Sequence, residues 1–550
     1  MKRILVIVGL ALIAVGTLLL LWWICIYRST TEGARPPMQR PPEPQVSSEV
    51  ADSAVAANNL FAVDLYKRMV YERYDENLFF SPLSISNGLA MVAEGAEGDT
   101  REEIRRVLHL SDDMPMEAFH QEMLDISQPF DDSFETTEQQ AERERLDAHW
   151  KEYIDVDNRR NLLVYGDPGS SSLTEEELIA EIQKLGEQKG ELSRAIHELS
   201  NSLDPNEFRL ANSLWGEETY PFSSGYVETI EQLYAPDGVF TSDFINAPDH
   251  ERSRMNAWAN EKTRGKISEA MPSGSVTPET RLVLINSIYF KGGWQDVFHE
   301  EYTEPRDFHF SDGRTTVQRE TMYSEIETCR YAAFHADGSF YDTPHEAEFR
   351  DRDMNEYGGP KAGAEPLTEC YPENDGFQVI EMAYKGEYFS MVILAPLDPT
   401  GLLDLESKLT AENLDRWIGH LDSREVYVYL PKFKFEANYE LSGKDTQGVL
   451  QKLGVNLAFQ DPANSSPGAD LSPMHDSQLP GLFLTGASHC TSIDVHEKGT
   501  EAAAVASFPY LGFGAAFSPQ FRADRPFFFL IRDRQSGTIL FMGRVLDPQY

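Results

Sequence analysis

The stretch between Val495 and Phe517, VHEKGTEAAAVASFPYLGFGAAF, constrains the fold more than any other part of this chain. It begins like a β-strand, but its middle, TEAAAVAS, consists almost entirely of small residues. A buried strand favours bulky β-branched or aromatic side chains, and an amphipathic helix needs an apolar stripe. Gly499 and Pro509 leave little room for an alanine-rich helix between them. The segment is therefore predicted to be neither an ordinary core strand nor an ordinary core helix.

The N-terminus contains a long apolar run, ILVIVGLALIAVGTLLLLWWICIY, at residues 4–27. About 20 apolar residues span a bilayer as a helix, and Trp22, Trp23 and Tyr27 stand where aromatic rings favour the membrane interface. A cleaved signal peptide, the alternative, has a shorter apolar region and small residues at its cleavage site. We therefore expect residues 1–28 to be an uncleaved transmembrane anchor. The basic residues before it predict a cytoplasmic N-terminus and an exported domain, either periplasmic or extracellular.

The rest of the chain is predicted to be a linker and one large domain. Paired prolines within residues 29–50 favour an extended polyproline conformation, so we expect a stiff stalk there. The domain then covers residues 51–550, with polar insertions at about 111–207 and 335–376. The first insertion contains leucines and isoleucines at heptad spacing. That pattern is typical either of one amphipathic helix packing on the domain itself or of a coiled-coil arm that binds a partner.

Short β-like segments and helical segments alternate in mixed order along the domain. An apolar helical stripe follows SPLS, a helix-start pattern, and strands are predicted at RLVLINSIYF, FQVIEMAY, FSMVILAP, EVYVYLPKFKFE and PFFFLIRD. Helices such as NLDRWIGHL separate some of these strands. This order predicts an α+β fold with large, mostly antiparallel sheets.

Charge, motifs and cysteines exclude several classes of function. A formal net charge of −42 argues against a nucleic-acid partner, because phosphate contacts need clustered Lys and Arg. Sequence motifs of hydrolases, zinc proteases and nucleotide-binding enzymes are absent, so we expect no catalytic activity, cofactor or metal. The chain is expected to be a monomer. Among its four cysteines, Cys329 and Cys370 could form one disulfide if the domain is exported.

The segment EKGTEAAAVAS resembles the hinge of the serpins, the conformational-trap protease inhibitors. Further segments resemble the same family in the same order, namely NLFFSPLSIS, MNAWANEKTRGKI, TRLVLINSIYFKGGW, VYLPKFKFE and FRADRPFFFLIRDRQSGTILFMGRVLDP. The resemblance covers most of residues 51–550. It implies the serpin fold, which is a large central, mostly antiparallel sheet with additional sheets, surrounding helices and an exposed reactive loop.

The resemblance also implies how the small residues act. In serpins the target protease cleaves the reactive loop, which then inserts as a new strand into the central sheet. Because side chains alternate along a strand, the part that begins at Thr500 has one face with only small residues, while its single charge, Glu501, lies on the other face. The hinge residues identified by the match are Glu497, Gly499, Thr500, Glu501, Ala502, Ala503, Ala504, Val505 and Ala506.

Family spacing predicts that the protease cleaves between Phe513 and Gly514, with Tyr510 and Leu511 as alternative positions. A Phe before the cleaved bond suits a protease with a deep apolar pocket, so chymotrypsin-like serine proteases are the expected targets. Cysteine proteases are the alternative, because some serpins trap them. Pro509 departs from the favourable pattern, since it has no N–H to donate to a sheet ladder.

Two further groups of residues carry over from the family. At the breach, where the inserting strand enters, we expect Trp294, Lys432, His489 and Glu497. At the shutter below it, which must part for insertion, we expect Ser81, Ser84, Asn286 and again His489. Buried polar groups that can exchange hydrogen bonds would let the sheet switch between two arrangements.

The leading hypothesis is a membrane-anchored suicide-substrate inhibitor of an exported or extracellular serine protease. A non-inhibitory serpin-fold binding protein that acts through its insertions is the main alternative. A scaffold or adhesion protein that uses the heptad segment is a third. The hinge discriminates between them, because serpins that have lost inhibition often carry charged, proline or bulky residues where this chain has Thr500, Ala502 and Ala504.

Overall fold

The computed structural model describes residues 38–127, scattered positions between 141 and 159, and residues 174–202, 207–234, 238–342, 376–386, 388–443, 447–477, 481–500 and 519–550. The apolar run at residues 4–27 therefore lies outside the described residues. Within the described ranges, no helix is both long enough and apolar enough to cross a membrane. The described residues form strands and helices in mixed order, so the predicted α+β class is confirmed.

Most strands of the described residues lie in two sheets. In chain order they are β1 (Leu78–Phe80), β2 (Glu207–Glu217), β3 (Val239–Ser242), β4 (Leu282–Gly293), β5 (Glu304–His309), β6 (Thr316–Phe334), β7 (Phe340–Tyr341), β8 (Phe377–Ala383), β9 (Phe389–Pro396), β10 (Asp422–Pro431), β11 (Phe433–Glu440), β12 (Leu484–His496), β13 (Gly499–Thr500), β14 (Gln520–Arg522), β15 (Phe527–Asp533) and β16 (Ile539–Val545). The six-stranded sheet has the spatial order β11–β12–β13–β4–β2–β3. The ten-stranded sheet has the order β1–β16–β15–β9–β8–β6–β10–β14, with β5 and β7 also paired to β6.

Helices cover the sheets and carry much of the remaining core. In chain order they are α1 (Ala54–Glu72), α2 (Pro82–Glu94), α3 (Gly98–Val107), α4 (Met116–Ser127), α5 (Glu175–Ser202), α6 (Ser224–Tyr234), α7 (Pro248–Lys262), α8 (Leu402–Ser407), α9 (Ala411–Gly419) and α10 (Val449–Leu453). Helix α2 begins where the sequence predicts. Ser81 caps it by accepting the Ser84 N–H at 3.1 Å, and Pro82 takes the first helical position, where its missing N–H costs nothing.

Strand β4 is buried along its whole length and joins two layers. On one face, Val283 and Ile285 belong to an apolar cluster with Trp258 of α7. On the other face, Phe290 contacts Phe389 of the ten-stranded sheet at a ring-centroid distance of 5.5 Å. A strand buried on both faces reads as a continuous apolar run rather than an alternating one, which explains the segment RLVLINSIYF.

Residues 38–50 do not stand away from the domain as a stalk would. They lie against α1, where the Arg40 guanidinium stacks over the rings of Tyr71 and Tyr74 at 5.2 and 5.0 Å. A carboxylate oxygen of Glu43 lies 3.0 Å from the guanidinium of Arg68. The proline-rich composition indicates an extended backbone, but it does not indicate whether that backbone is free or docked.

A buried histidine completes this docked segment. The Ser47 N–H donates to a carboxylate oxygen of Asp64 at 2.7 Å, and the same oxygen lies 3.3 Å from Nε2 of His109. The other ring nitrogen of His109 bonds to the carbonyl oxygen of Glu49 at 2.7 Å. Burial lowers the pKa of His109, but the hydrogen bonds to Asp64 and to the Glu49 carbonyl outweigh it and raise the pKa above its ordinary value.

Helix α5 coincides with the heptad pattern. Its buried residues Leu185 and Leu192 pack with Val156 and the partly buried Tyr153. These residues form a small apolar cluster of their own, separate from the main core. Two of the heptad residues, Leu185 and Leu192, thus bury their side chains against Val156 and Tyr153 within residues 111–207.

Both cysteines of the described residues are free thiols. Cys329 is buried, and burial raises its pKa. Burial likewise raises the pKa of Cys490 to about 11, although a hydrogen bond with Ser488 opposes this. Cys370, the other half of the predicted disulfide, lies outside the described residues.

Candidate functional site

The site lies at one end of the six-stranded sheet, where the short strand β13 enters between β12 and β4. Thr500 pairs with Val495 of β12 and with Gly292 of β4, antiparallel to both strands. Gly499 before it has φ +139, and a Cβ atom there would lie 2.1 Å from the carbonyl oxygen of Gly292. Only glycine can bring the chain into the sheet at this point.

Below β13, the two flanking strands meet each other directly. Strands β12 and β4 run parallel and pair from Leu484 with Leu282 to Cys490 with Ser287. In this sheet β2 and β4, β11 and β12, and both neighbours of β13 pair antiparallel. A parallel ladder is slightly less stable per residue than an antiparallel one. The line between β12 and β4 is therefore a place where the sheet can be opened at modest cost.

The Thr500 side chain points into the core. It is 1% exposed, and its hydroxyl lies 2.9 Å from the hydroxyl of Tyr384. The Tyr384 ring stacks on Trp294 at a centroid distance of 4.6 Å, and Trp294 Nε1 donates to the carbonyl oxygen of His496 at 3.1 Å. Tyr384 was not among the predicted site residues. Its only sequence signal is that an aromatic residue follows directly after the strand FQVIEMA.

Glu497 and Lys432 form an ion pair beside this entry point. Their side-chain nitrogen and oxygen lie 3.2 Å apart, and the second carboxylate oxygen of Glu497 accepts from the Thr303 hydroxyl at 2.8 Å. Burial raises the pKa of Glu497, but a backbone hydrogen bond, Thr303 and Lys432 together lower it below its ordinary value. The pair ties the strand end to the neighbouring sheet, and three of the four predicted breach residues thus lie around the entry point.

The predicted shutter residues come together beneath the middle of the sheet. The Ser81 hydroxyl donates to the Leu540 carbonyl at 2.6 Å, and the Ser81 N–H donates to Nε2 of His489 at 3.0 Å. Asn286 Nδ2 donates to the Ser84 carbonyl at 3.2 Å. Helix α2, which carries both serines, therefore bonds to β12, β4 and β16 at once.

Asn212 of β2 completes the shutter and was missed from the sequence. Its side-chain oxygen accepts from the Ser84 hydroxyl at 3.1 Å and from Asn286 Nδ2 at 2.8 Å, while its own amide donates to the Ser84 carbonyl at 3.1 Å. Nothing in the segment RLANSLWG distinguishes this asparagine from a solvent-facing one. The signal is spatial, because Asn212 and Asn286 face each other across the β2–β4 ladder.

His489 belongs to the shutter and not to the breach. It pairs in register with Asn286, eight residues before Trp294 along β4, a separation of roughly 26 Å in a strand. Burial lowers the pKa of His489 to about 3, so the ring is neutral. Its Nδ1 atom and the side-chain oxygen of Asn286 are buried without a hydrogen-bond partner among the described residues. The predicted placement of His489 beside the breach is corrected by this register.

The remaining predicted residues lie outside the described part of the chain. These are the hinge residues after Thr500 and the predicted cleavage position, namely Glu501, Ala502, Ala503, Ala504, Val505, Ala506, Phe513 and Gly514.

Comparisons with known proteins agree with one another. The family described as Serpin (serine protease inhibitor) matches residues 56–156, 162–341 and 367–548. Serpin B3 of Homo sapiens is 30% identical over 503 residues, which cover 90% of this chain and 100% of that protein. Leukocyte elastase inhibitor of Bos taurus is 31% identical and covers 90% of this chain and 99% of its own length. The crystal structure of uncleaved ovalbumin has a TM-score of 0.62 and 24% identity, and covers 90% of this chain and 100% of its own.

These findings correct the predicted localisation. The prediction of a single-pass membrane protein with an exported domain is wrong, because no helix in the described part of the chain is long enough and apolar enough to cross a membrane. The family match runs through most of residues 111–207, so the predicted insertion there is not supported. Within 335–376 it leaves residues 342–366 unmatched.

Proposed function

Because the chain belongs to the serpin family, we propose that it is an irreversible inhibitor of a chymotrypsin-like serine protease. It would act by offering a substrate-like bond and then inserting the cleaved loop into the six-stranded sheet. The names of its relatives support the first part, since leukocyte elastase inhibitors are among them. The second part rests on the geometry at β13.

The observation that carries the proposal is the pairing of Gly499 and Thr500 between β12 and β4. Two residues already occupy the position of a strand that lengthens the sheet from within. Residues 501–504 would enter where β12 and β4 are not paired with each other. From Val505 onward, each added residue would replace a parallel contact between β12 and β4 with antiparallel contacts to both. The starting point, direction and register of insertion are therefore already set by the uncleaved chain.

Continuing the same register gives the neighbours of each inserting side chain. Ala502 would come opposite Phe290 and Ile493, two residues that are almost fully buried. Two positions further, Ala504 would come opposite Ile288 and Thr491. Methyl groups fit between such side chains where larger groups would not, because protein cores are close-packed.

Ala506 would reach the shutter, opposite Asn286 and His489. At this depth β12 and β4 are still paired, so insertion requires their contact to break. The unpartnered Nδ1 of His489 and side-chain oxygen of Asn286 make this step less costly, because both can gain a hydrogen bond when the strands move apart.

The proposed chemistry is that of an interrupted proteolysis. The serine hydroxyl of the protease attacks the carbonyl of Phe513, the bond to the Gly514 nitrogen breaks, and that nitrogen leaves with a proton from the protease histidine. An ester now joins the protease to the loop. Insertion carries this ester away from the entry point before water hydrolyses it, and the protease remains covalently attached.

Incubation of the full-length chain with chymotrypsin, followed by denaturing electrophoresis, tests the proposal. We expect a complex that survives SDS and whose mass is the sum of the protease and the chain truncated at the cleaved bond. Mass spectrometry of the released C-terminal peptide identifies the bond and separates Phe513 from Tyr510 and Leu511. Complete cleavage with no complex would contradict inhibition and favour a non-inhibitory binding protein.

Two matched variants test whether formation of the complex depends on the side chain of Phe513. Phe513→Asp removes the apolar side chain that the deep pocket of chymotrypsin requires, while Phe517→Asp makes the same change four residues later. We expect the first variant to form no complex at the cleavage position and the second to behave like the unchanged chain. Undiminished complex in the Phe513→Asp variant would show that the predicted bond is misplaced, and loss of complex in both variants would show that the added charge damages the loop in general.

A further inference from the structure

Residues 546–550, which follow β16, lie against the outer strand of the six-stranded sheet. The Lys434 N–H of β11 donates to the carbonyl oxygen of Gln549 at 2.8 Å. A carboxylate oxygen of the buried Asp547 accepts from the guanidinium of Arg319 at 2.7 and 2.9 Å. We call residues 546–550 the tail. These contacts fix the tail beside the point where β10 passes into β11.

The last residue of the tail, Tyr550, covers the ammonium group of Lys432. Lys432 is the single residue between β10 and β11, and its Nζ atom lies 4.1 Å from the centroid of the Tyr550 ring. The same Nζ atom lies 3.2 Å from a carboxylate oxygen of Glu497. Tyr550 is 61% exposed, whereas the Lys432 side chain is only 17% exposed. The ring therefore lies at the surface and shields the ion pair beneath it from solvent.

The ring and the carboxylate support each other in holding Lys432. A lysine side chain is flexible, and fixing it beside a carboxylate costs rotamer entropy that an ion pair near the surface barely recovers. The face of an aromatic ring attracts a cation, and more strongly when the cation is shielded from water. The Tyr550 ring thus draws the ammonium group to a position from which it also reaches Glu497.

Glu497 belongs to the two-residue loop that joins β12 to β13, which we call the hairpin loop (Glu497 and Lys498). The Phe298 N–H donates to the Glu497 carbonyl and the Trp294 N–H donates to the Lys498 carbonyl, each at 3.0 Å. Both donors follow β4 in the chain. The hairpin loop is therefore bonded through its backbone to the end of β4 and through the Glu497 side chain to Lys432, at the start of β11.

These two attachments lie on opposite sides of the line along which β12 and β4 must part. One further strand widens a sheet by about 4.8 Å, so bonds that hold the hairpin loop to both sides oppose the movement. An uncut loop could also supply residues after Thr500, but both of its ends stay attached. It therefore gains less from insertion than a cut loop, and a modest restraint at the entry point separates the two cases.

We propose that Tyr550 is a positioning residue, whose ring keeps Lys432 on Glu497 and so delays insertion of the reactive loop until a protease cuts it. This inference rests on the proposed function. Loss of the ring would free Lys432 and loosen the hairpin loop. The uncut loop would then insert spontaneously more often, and the bond that the protease attacks would be withdrawn from reach.

The test compares Tyr550→Ala and Tyr550→Phe with the unchanged full-length chain. Tyr550→Phe keeps a ring over Lys432 and should behave like the unchanged chain. The control is Tyr388→Ala, which removes another exposed tyrosine, between β8 and β9. Hydrogen exchange of the Trp294 and Phe298 amides is the first measurement, because it reports how often the hairpin loop opens whether or not a strand inserts.

The second measurement follows the uncut loop. Each protein is incubated uncut at one temperature below its melting transition, and samples are then treated with chymotrypsin. The fraction whose loop is still cut is counted as complex and cleaved chain together, since an inserted loop is out of reach of the protease. We expect both amide exchange and the loss of this fraction to be about fivefold faster in Tyr550→Ala, as the loss of one cation–π contact of ordinary strength predicts.

Lys432→Gln tests whether the ring acts through the cation. If it does, adding Tyr550→Ala to Lys432→Gln should change neither rate further. Additive effects would overturn the inference, as would unchanged amide exchange in Tyr550→Ala, or faster exchange without faster loss of the fraction that is cut. Formation of a complex by the freshly prepared chain tests the proposed function separately. A chain that is only cleaved would contradict inhibition, and amide exchange would still decide whether Tyr550 holds the hairpin loop.

Discussion

At the scale of single residues, Ala504 is the position where the proposed insertion is most sensitive to charge. Its register neighbours would be Ile288 and Thr491, both buried. A carboxylate there would be left unpaired in the core, which costs roughly several kcal/mol. We therefore expect Ala504→Glu to turn the inhibitor into a substrate. The measurement is the number of inhibitor molecules consumed per protease trapped, with complex and cleaved chain quantified on denaturing gels.

The control for this prediction is Ala503→Glu. On insertion, position 503 would point to the opposite face, where its register neighbours would be the partly buried Ser492 and Tyr289, which is 7% exposed, whereas Thr491 and Ile288 beside position 504 are at most 1% exposed. The same substitution should therefore be tolerated much better one residue away. Equal loss of complex in both variants would mean that general damage to the loop, and not burial on one face, is responsible.

The buried ring of His489 makes stability depend on pH. Its pKa falls from an ordinary value of 6.5 to about 3 in the folded chain, so unfolding takes up a proton whenever the pH lies between these values. The free energy of unfolding should then decrease by about 1.4 kcal/mol for each pH unit below about 6.5, down to about pH 3, and be unaffected above 6.5. Denaturant unfolding at pH 7, 6, 5 and 4 measures this slope.

His489→Gln isolates the contribution of this one ring, because glutamine can still accept from the Ser81 N–H and does not titrate. Other groups titrate in both proteins, so the difference between their slopes belongs to His489. We expect the variant to lose less stability between pH 6.5 and 4. If the free energy of unfolding had the same pH dependence in both proteins, the His489 ring would be solvated or already charged in the folded chain.

Local sequence alone would have missed several site residues. Ser81 is recognisable as a helix cap from the letters SPLS, since a cap is a local device. Asn212, Thr303 and Tyr384 act through contacts with distant parts of the chain, and their neighbours in the sequence do not identify these contacts. The breach and shutter residues were identified only through the family resemblance. That resemblance assigned His489 to both sites, although it lies only at the shutter.

At the scale of elements, the segment at residues 38–50 behaves as part of the domain, held by its contacts to α1. Asp64 accepts the Ser47 N–H and faces His109. We expect Asp64→Asn to loosen the segment, because hydrogen bonds to charged groups contribute about 1.5–3 kcal/mol. Hydrogen exchange of the Ser47 amide should accelerate, and a glutamate-specific protease should cleave after Glu49 sooner. Glu76→Gln, which alters an exposed ion pair with Arg73, is the control and should change neither.

The stability of the docked segment at residues 38–50 should depend on pH in the opposite direction to the contribution of His489. The folded pKa of His109 is raised, so its stabilising contribution is complete below the ordinary value of 6.5 and is lost as the pH rises through the folded pKa. Exchange at Ser47 should therefore be slowest in mildly acidic solution. An exchange rate that follows only the intrinsic chemistry of amides across this range would contradict the role of His109.

Elements with a strong local pattern were predictable, and those defined by distant partners were not. The strands FQVIEMAY and FSMVILAP became β8 and β9 with nearly the expected bounds, because a run of apolar residues in a sheet core is a local signal. The predicted strand EVYVYLPKFKFE is two strands, β10 and β11, which separate at Lys432 and join different sheets. Pro431 has no N–H for a ladder, which makes this point a natural break.

At the scale of the whole molecule, the proposed function requires the six-stranded sheet to accept one more strand. The parallel ladder between β12 and β4, the two paired residues of β13 and the buried polar groups of the shutter all lie along one line. Sequence predicted the class of the fold, because that class depends on the size and alternation of side chains, whereas the inserting segment stays a prediction that rests mainly on the family resemblance. It did not predict that Gly499 and Thr500 pair with both β12 and β4, since that depends on their fit against Gly292 and Val495.

If the cleaved loop inserts as a further strand between β12 and β4, the protein should become more stable when the loop is cut. Cutting frees the residues after Thr500 to pair with β12 and β4, and each net backbone hydrogen bond contributes about 0.5–1.5 kcal/mol. Several such bonds predict a rise in the melting temperature of roughly 10 °C or more. The measurement is thermal unfolding of the full-length chain before and after limited cleavage of the loop. Ala504→Glu should gain far less, because its charged side chain stops the strand, and an unchanged melting temperature in the cut original chain would rule out insertion.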